Sequence, residues 1–377
     1  MKLLRKNGLR ATALGALAVS GALVLTACGS DNNSGEQSDS SSKPAAASSI
    51  ACDGAKGQLR ASGSSAQKNA QDVWAKDYMA ACSGVEINYK ASSSGEGIVA
   101  FNAGTVAFAG SDSPLKPEEV AESKKVCTGG QGIDLPMVGG PIAVGYHVEG
   151  VDSLVLDAPT IAKIFNSKIK NWNDAAIAKL NPDAKLPNKP IQAFHRSDES
   201  GTTQNLGKYL AATAKSDWTY EPEKKWPAPG GQAASGSSSV AQQVKQVDGS
   251  IGYFELSYAT SQQINTVKVD TGASAPVEAT AENASKAIAA AKVVGTGKDL
   301  SLSLDYTTKA DGAYPLVLVT YEIVCDKGNK AETLDTVKSY LNYTAGDEGQ
   351  KKLTAAGYAP IPAEINAKVR ETIAGLS

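Results

Sequence analysis

The chain has 377 residues, 42% of them hydrophobic and 20% charged, with 37 Lys and Arg against 39 Asp and Glu. The near balance of charge, with no basic patch, argues against nucleic acid as a partner. Only two histidines are present, so neither a metal cluster nor a histidine-activated nucleophile is expected.

The first segment reads as an export signal. Lys2, Arg5, Lys6 and Arg10 form a basic start, and residues 11–26 are apolar and small. Leu25-Thr26-Ala27-Cys28 closes the segment in the form of a lipobox, which predicts cleavage before Cys28 and a diacylglycerol on its thiol. A transmembrane anchor is the competing reading, but the apolar run is short and wrongly flanked for a span. Residues 28–51 are mostly Ser, Asp, Asn, Gly, Pro and Ala, the composition of a flexible tether. Cleavage leaves 33 Lys and Arg against 39 Asp and Glu, a net charge of −6. About 325 residues follow the tether, enough for two cored domains, and none of their apolar stretches is long enough to cross a bilayer.

Strands and helices then mostly alternate. Gln58–Ser62 reads as a short strand, and Ala66–Cys82 as a helix with Ala70, Val73, Trp74 and Tyr78 on one face. Between them lies Ala61-Ser62-Gly63-Ser64-Ser65. Val85, Ile87 and Tyr89 alternate as a half-buried strand. Ser92-Ser93-Ser94-Gly95-Glu96-Gly97 leads from it into a short helix ending near Phe101. Val106–Ala109 is a strand followed by Ser111-Asp112-Ser113-Pro114-Leu115. Ile142–His147 is apolar and extended, and Ala162–Phe165 and Ala175–Leu180 are short helices. Ile191–Phe194 is a strand that passes through Arg196, Ser200, Gly201 and Thr202 into a helix carrying Leu206, Tyr209 and Leu210. Gly230–Ser239 is expected to be a loop, with a helix marked by Val240, Val244 and Val247 after it. Tyr314–Val324, dense in β-branched and aromatic residues, carries the strongest strand signal. Helical patterns over Leu334–Tyr343, Glu348–Ala356 and Ala363–Leu376 finish the chain. The alternation indicates an α/β fold without fixed-period repeats.

With Cys28 lipidated, Cys52, Cys82, Cys127 and Cys325 remain. An even number in an exported chain suggests two disulfides, with three possible pairings. Cys52–Cys82 is favoured because it ties a first strand to the far end of the first helix, which leaves Cys127–Cys325. A zinc site is the rival reading, disfavoured by the lack of Cys-x-x-Cys and the scarcity of histidine.

Three of these junctions share one chemistry. The first amides of a helix lack internal partners and carry the positive end of its dipole, so they bind anions. Ser and Thr hydroxyls add donors, and Arg196 adds a fork matched to a tetrahedral oxyanion. Taken singly, each is equally a capped helix start. Asp112 beside an anion site makes sense if the ligand carries a proton. Phosphate retains one at neutral pH and can donate it to an ionised carboxylate, whereas sulfate would meet an unpaired, repelling charge. An N-cap before Pro114 is the alternative role for Asp112. Gly95-Glu96-Gly97 through Ala100 loosely fits a dinucleotide fingerprint but lies outside a clean βαβ start. No Gly-x-Ser-x-Gly, Walker A or His-Glu-x-x-His motif is present, which disfavours an enzyme.

From about Gln58 to Ile373 the chain resembles the phosphate-binding proteins of bacterial ABC phosphate importers, the PstS family. The resemblance is most specific in Ser167 to Pro182 (SKIKNWNDAAIAKLNP), in Arg196, Asp198 and Ser200-Gly-Thr-Thr203, in Gly249-Ser-Ile-Gly-Tyr253 and in Gly357-Tyr-Ala-Pro-Ile-Pro362. It implies a two-lobe periplasmic-binding-protein-like fold of type II, with the ligand in the interlobe cleft. Residues 52–138 plus 316–377 would form one lobe and 139–315 the other. It implies phosphate contacts from Ser65, Ser93, Asp112, Arg196, Ser200, Gly201 and Thr202. Ser64, Ala66, Ser94 and Asp198 would support them, Asp198 by orienting Arg196. The implied protein is a monomer without cofactor or metal, lipid-anchored at the outer face of the cytoplasmic membrane, serving permease subunits and their ATPase. A binding protein for another oxyanion and a secreted phosphoesterase are the alternatives. The chain departs from the family pattern at Ala107, where Asp is usual, at Glu199, where Gly is commoner, and at Ser237 and Ser238, which replace an Asn and an acidic residue. Glu199 is expected to shift the local field.

Overall fold

The computed structural model describes residues 50–377. The export signal, Cys28 and the tether up to residue 49 lie outside the described residues. Ile50 and Ala51, at the end of the expected tether, sit against the body, where the Ser339 hydroxyl donates to the Ala51 carbonyl at 3.0 Å.

The chain begins with β1 (Gly57–Ser64), a 3-10 turn (Ser65–Gln67), α1 (Lys68–Ala81), β2 (Val85–Ser92) and α2 (Ser94–Asn102). Next come β3 (Phe108–Ser111), α3 (Pro117–Ser123) and the sixteen-residue β4 (Gly132–His147). The middle of the chain holds β5 (Val155–Asp157), α4 (Ala158–Phe165), α5 (Ala175–Leu180), β6 (Gln192–Arg196) and α6 (Gly201–Thr213). It continues through β7 (Gln232–Ala234), α7 (Gly236–Gln246), β8 (Ser250–Glu255), α8 (Leu256–Gln262), β9 (Asn265–Thr266) and β10 (Lys268–Asp270). Then come α9 (Ala281–Ile288), β11 (Lys292–Val293), β12 (Leu302–Ser303), β13 (Val317–Cys325), α10 (Ala331–Ala345), α11 (Asp347–Lys351) and α12 (Ala363–Ala374).

Among the described residues one mixed sheet runs in the order β2-β1-β3-β13-β4-β8-β6-β7, with β9 also on β4. β1 is parallel to β2 and β3, and β6 is parallel to β7 and β8, the pairing that βα crossovers produce. β4 changes partner at Pro141. Up to that residue it pairs antiparallel with β13, and from Ile142 to His147 it pairs antiparallel with β8. One core packs α1, α10 and α12 against β1, β2 and the first part of β4, through Trp74, Tyr78, Tyr340 and Val369. Another packs α4, α6 and α7 against β6, β8 and the rest of β4, through Phe165, Leu206, Val244 and Phe254. This is the two-lobe α/β architecture expected from the sequence.

Local chemistry explains several boundaries. α4 and α5 start where Asp157 and Asp174 accept backbone N–H groups of Thr160 and Ala176, at 2.8 and 2.9 Å. The motif at 167–182 turns out to be largely structural. Trp172 is fully buried and donates its indole N–H to Gly249 O at 2.9 Å, and Asn181 clamps Val155 through both amide atoms.

Three expectations need correction. The helix expected over Glu348–Ala356 stops at Lys351, and a 3-10 turn follows at Thr354–Ala356. Gly230–Ser239 is not all loop, because it contains β7 and the first turn of α7. The strand expected from Tyr314 begins only at Val317, after Pro315, and Tyr314 instead donates to Ile142 O at 2.9 Å. Both disulfides form, Cys52–Cys82 and Cys127–Cys325, with Cα separations of 5.6 and 5.3 Å. Cys82 caps α1 as anticipated, whereas Cys52 lies ahead of the first strand. These bridges use all four cysteines and overturn the zinc reading.

Candidate functional site

Three glycines bring the first set of loops together. A Cβ on Gly63 would lie 2.1 Å from Gly110 O, and one on Gly97 would lie 2.6 Å from the Gly63 Cα. The backbones of β1, α2 and β3 therefore touch where larger residues would hold them apart. The contact aligns Ser64 and Ser65, Ser93 and Ser94, and Asp112 at one edge of the sheet. All five are buried.

Asp112 is the hub. Its Oδ2 accepts the Ser64 hydroxyl at 2.6 Å and the Ser94 hydroxyl at 3.2 Å, and its Oδ1 accepts the Thr320 hydroxyl at 2.8 Å. Burial pushes its carboxyl above the usual value, against the lowering effects of these hydroxyls and of the Arg196 charge. The role is not the simple N-cap considered above, since α3 is started by Lys116.

The opposing residues come from β6, α6 and α7. Arg196 is 2% exposed. Its Nε donates to Asp198 Oδ1 at 2.7 Å, its Nη2 to Asp198 Oδ2, and its Nη1 to the Ser237 hydroxyl at 2.9 Å. Burial works to raise the Asp198 carboxyl, but the hydrogen bonds and charge of Arg196 outweigh it and hold it below the usual value. The expected orienting contact is present. Ser200 caps α6 by accepting from Thr203 N at 3.2 Å, and the Gly201 amide points across the cleft at the Ser94 hydroxyl, 3.1 Å away.

The two sides meet at four further points. The Ser65 hydroxyl donates to Ser237 Oγ at 3.2 Å and accepts the Ser237 amide at 3.0 Å. Gly95 N donates to Glu199 O at 3.0 Å, and Asn205 Nδ2 donates to Asp112 O at 2.8 Å. Tyr258 donates its hydroxyl to Ser65 O at 2.7 Å. A Cβ on Gly201 would fall 2.6 Å from Asp112 Cβ, so this face closes only over a glycine.

The predicted residues converge, but with divided labour. Ser93 caps α2 by accepting from Glu96 N at 3.2 Å, which leaves its hydroxyl proton available, while Ser94 reaches Asp112 and Gly201. The Ala66 amide is engaged locally by Ser64 Oγ at 3.0 Å. Thr202 turns its hydroxyl to Glu255 Oε1 at 2.7 Å.

Sequence reasoning passed over Glu255, Thr320 and Asn205, and saw Ser237 only as a departure. Glu255 follows the quoted Gly249–Tyr253 motif by two residues, a signal that was within reach. Burial raises its carboxyl and the nearby Asp112 raises it further, against the lowering effects of the Thr202 and Ser237 hydroxyls and the Arg196 charge. Glu322 is also fully buried, bonded to Gln71 at 2.7 Å, and burial holds it well above the usual carboxylate value. Buried acids outnumber guanidinium groups here, so the donors the site offers an anion are oriented N–H and O–H dipoles more than net positive charge. Glu199 directs its carboxylate outward to Lys225 Nζ at 3.1 Å, and Ala107 packs beside the first core.

Residues 48–348 match the PBP superfamily domain. The chain is 41% identical over 360 residues to phosphate-binding protein PstS 3 of Mycobacterium leprae, covering 95% of this chain and 96% of the relative. It is 33% identical over 302 residues to phosphate-binding protein PstS of Xylella fastidiosa, covering 78% of each. Among solved structures it is similar to a phosphate-binding protein from Stenotrophomonas maltophilia, with a TM-score of 0.65, 19% identity, and coverage of 85% of this chain and 96% of that one. At that identity the likeness speaks to the fold.

Proposed function

The chain belongs to the PstS family of phosphate-binding proteins, and from that premise we propose that it captures inorganic phosphate outside the cytoplasm for an ABC importer. Permease subunits receive the ion, and their ATPase drives its uptake. The observation that carries this reading is the meeting, at one buried place, of hydroxyls, helix-start amides, a guanidinium and a carboxylate from both sides of β4.

In this reading Ser65, Ser93, Arg196, the Ser200 hydroxyl and the amides of Gly201 and Thr202 donate to phosphate oxygens, and Asp112 accepts the phosphate proton. Ser64, Ala66, Ser94 and Asp198 hold these groups in place. The lobes are residues 52–138 with 316–377, and 139–315, a division supported by the change of partner along β4. The protein acts as a monomer, tethered through lipidated Cys28 at the outer face of the cytoplasmic membrane.

Trp226 offers a built-in reporter. It stacks on His195 at 4.8 Å and on Tyr253 at 5.7 Å, and the Tyr253 hydroxyl accepts the Arg196 amide at 3.1 Å. Titrating delipidated protein with phosphate should give a saturable change in tryptophan fluorescence, and sulfate at the same concentrations should give none. An equal response to sulfate would make this a general oxyanion receptor, and silence to both would reject the reading.

A further inference from the structure

Two ion pairs cross the mouth of the cleft in reciprocal sense. Lys116 Nζ lies 3.0 Å from Glu223 Oε2, and Lys224 Nζ lies 3.0 Å from Glu119 Oε1. Lys116 and Glu119 belong to the start of α3, immediately after the Asp112 loop. Glu223 and Lys224 belong to the segment that lies over α6. The outer pair is exposed, at 39% and 54%, while the inner pair is not, at 6% for Lys224 and 21% for Glu119.

We propose that Glu119 and Lys224 are positioning residues that clasp the Asp112 loop to the Ser200 loop and set the rate of phosphate release. This inference rests on the functional reading above. Each end of the inner pair is wired to a ligand loop. The Lys224 carbonyl accepts the Ser200 amide at 2.9 Å, so the lysine backbone fixes the cap of α6. Gln204 Nε2 holds Pro222 O at 3.0 Å and keeps the segment on that helix. On the other side, Glu119 Oε2 accepts the Lys116 amide at 2.7 Å, four residues beyond Asp112. One carboxylate thus joins the start of α3 to the segment that holds α6.

The surroundings make the pair asymmetric. Lys208, on α6, has its ammonium held below the usual value by burial and by the nearby Lys224 charge. Removing Glu119 leaves Lys224 buried and facing Lys208, whereas removing Lys224 relieves that repulsion. Loss of Glu119 should therefore be the more damaging change.

Stopped-flow fluorescence with phosphate separates release from capture. Glu119→Gln should release phosphate about tenfold faster, and Lys224→Gln by a smaller factor, with capture rates within about twofold of the parent. Lys224→Arg should restore slow release, and Glu223→Gln at the exposed pair should change it by about threefold or less. Unchanged release in both glutamine variants would overturn the clasp, as would Lys224→Arg behaving like Lys224→Gln. If Glu119→Gln does not fold, the comparison of Lys224→Gln with Lys224→Arg decides. A parent that ignores phosphate contradicts the functional reading and not the clasp. Hydrogen exchange at the Ser200 amide then decides the clasp: faster exchange in Lys224→Gln sustains it, and unchanged exchange rejects it.

Discussion

At the scale of single residues, the proposed reading divides affinity from selectivity between Arg196 and Asp112. Arg196 is buried, held by Asp198 and directed at Ser237, so its fork is preorganised and desolvated. Arg196→Ala is expected to cost about 2–5 kcal/mol of phosphate binding, measured by calorimetry. A micromolar site has only about 8 kcal/mol in total, so such a loss removes useful binding. Asp112 acts differently. Its two oxygens already accept Ser64, Ser94 and Thr320, and an additional proton from the ligand suits it where an aprotic dianion does not. Asp112→Asn removes the repulsion and keeps the shape. Phosphate affinity should fall modestly while sulfate begins to bind, and a variant that still excludes sulfate would return Asp112 to a purely structural role.

At the scale of elements, the residues that start helices were legible because capping is local. α5 occupies the predicted Ala175–Leu180, and α6 and α2 begin within the turns expected to open helices, capped by Ser200 and Ser93. Pairing between distant strands was not legible. The first part of β4 contains Pro136 and Gly139-Gly140-Pro141, which locally argue against a strand, yet nine of its residues pair with β13. β7 was hidden for a similar reason. It is three residues between Gly231 and Gly236, both at positive φ, and exists only through parallel pairing with β6. In the site, hydroxyls in Ser/Gly-rich turns were readable, but Thr320 lies inside an apolar strand and Asn205 inside a helix. Nothing local marks either as a neighbour of Asp112. The disulfides belong to this scale too, closing separations of 30 and 198 residues. Each should contribute about 2–4 kcal/mol, so thermal unfolding under reductant should shift down in steps as the bridges open. A melting curve indifferent to reductant would show that they add nothing to stability.

At the scale of the whole molecule, β4 and β13 are the frame on which the two sides are hung. In the proposed reading the ligand is held by groups from both sides, Asp112 on one and Arg196 with the start of α6 on the other, so binding and closure are thermodynamically linked. Solution scattering should therefore show a smaller radius of gyration with phosphate than without it, and an unchanged radius would mean that capture needs no closure. The central claim is narrower: one protonated phosphate sits between Asp112 and Arg196, against the start of α6. A crystal structure of the protein grown with phosphate tests it most directly. Tetrahedral density within hydrogen-bond reach of Asp112, Arg196, Ser65 and the Gly201 and Thr202 amides is the predicted result. Phosphate bound elsewhere, with these groups still bonded to one another as they are here, would contradict the account.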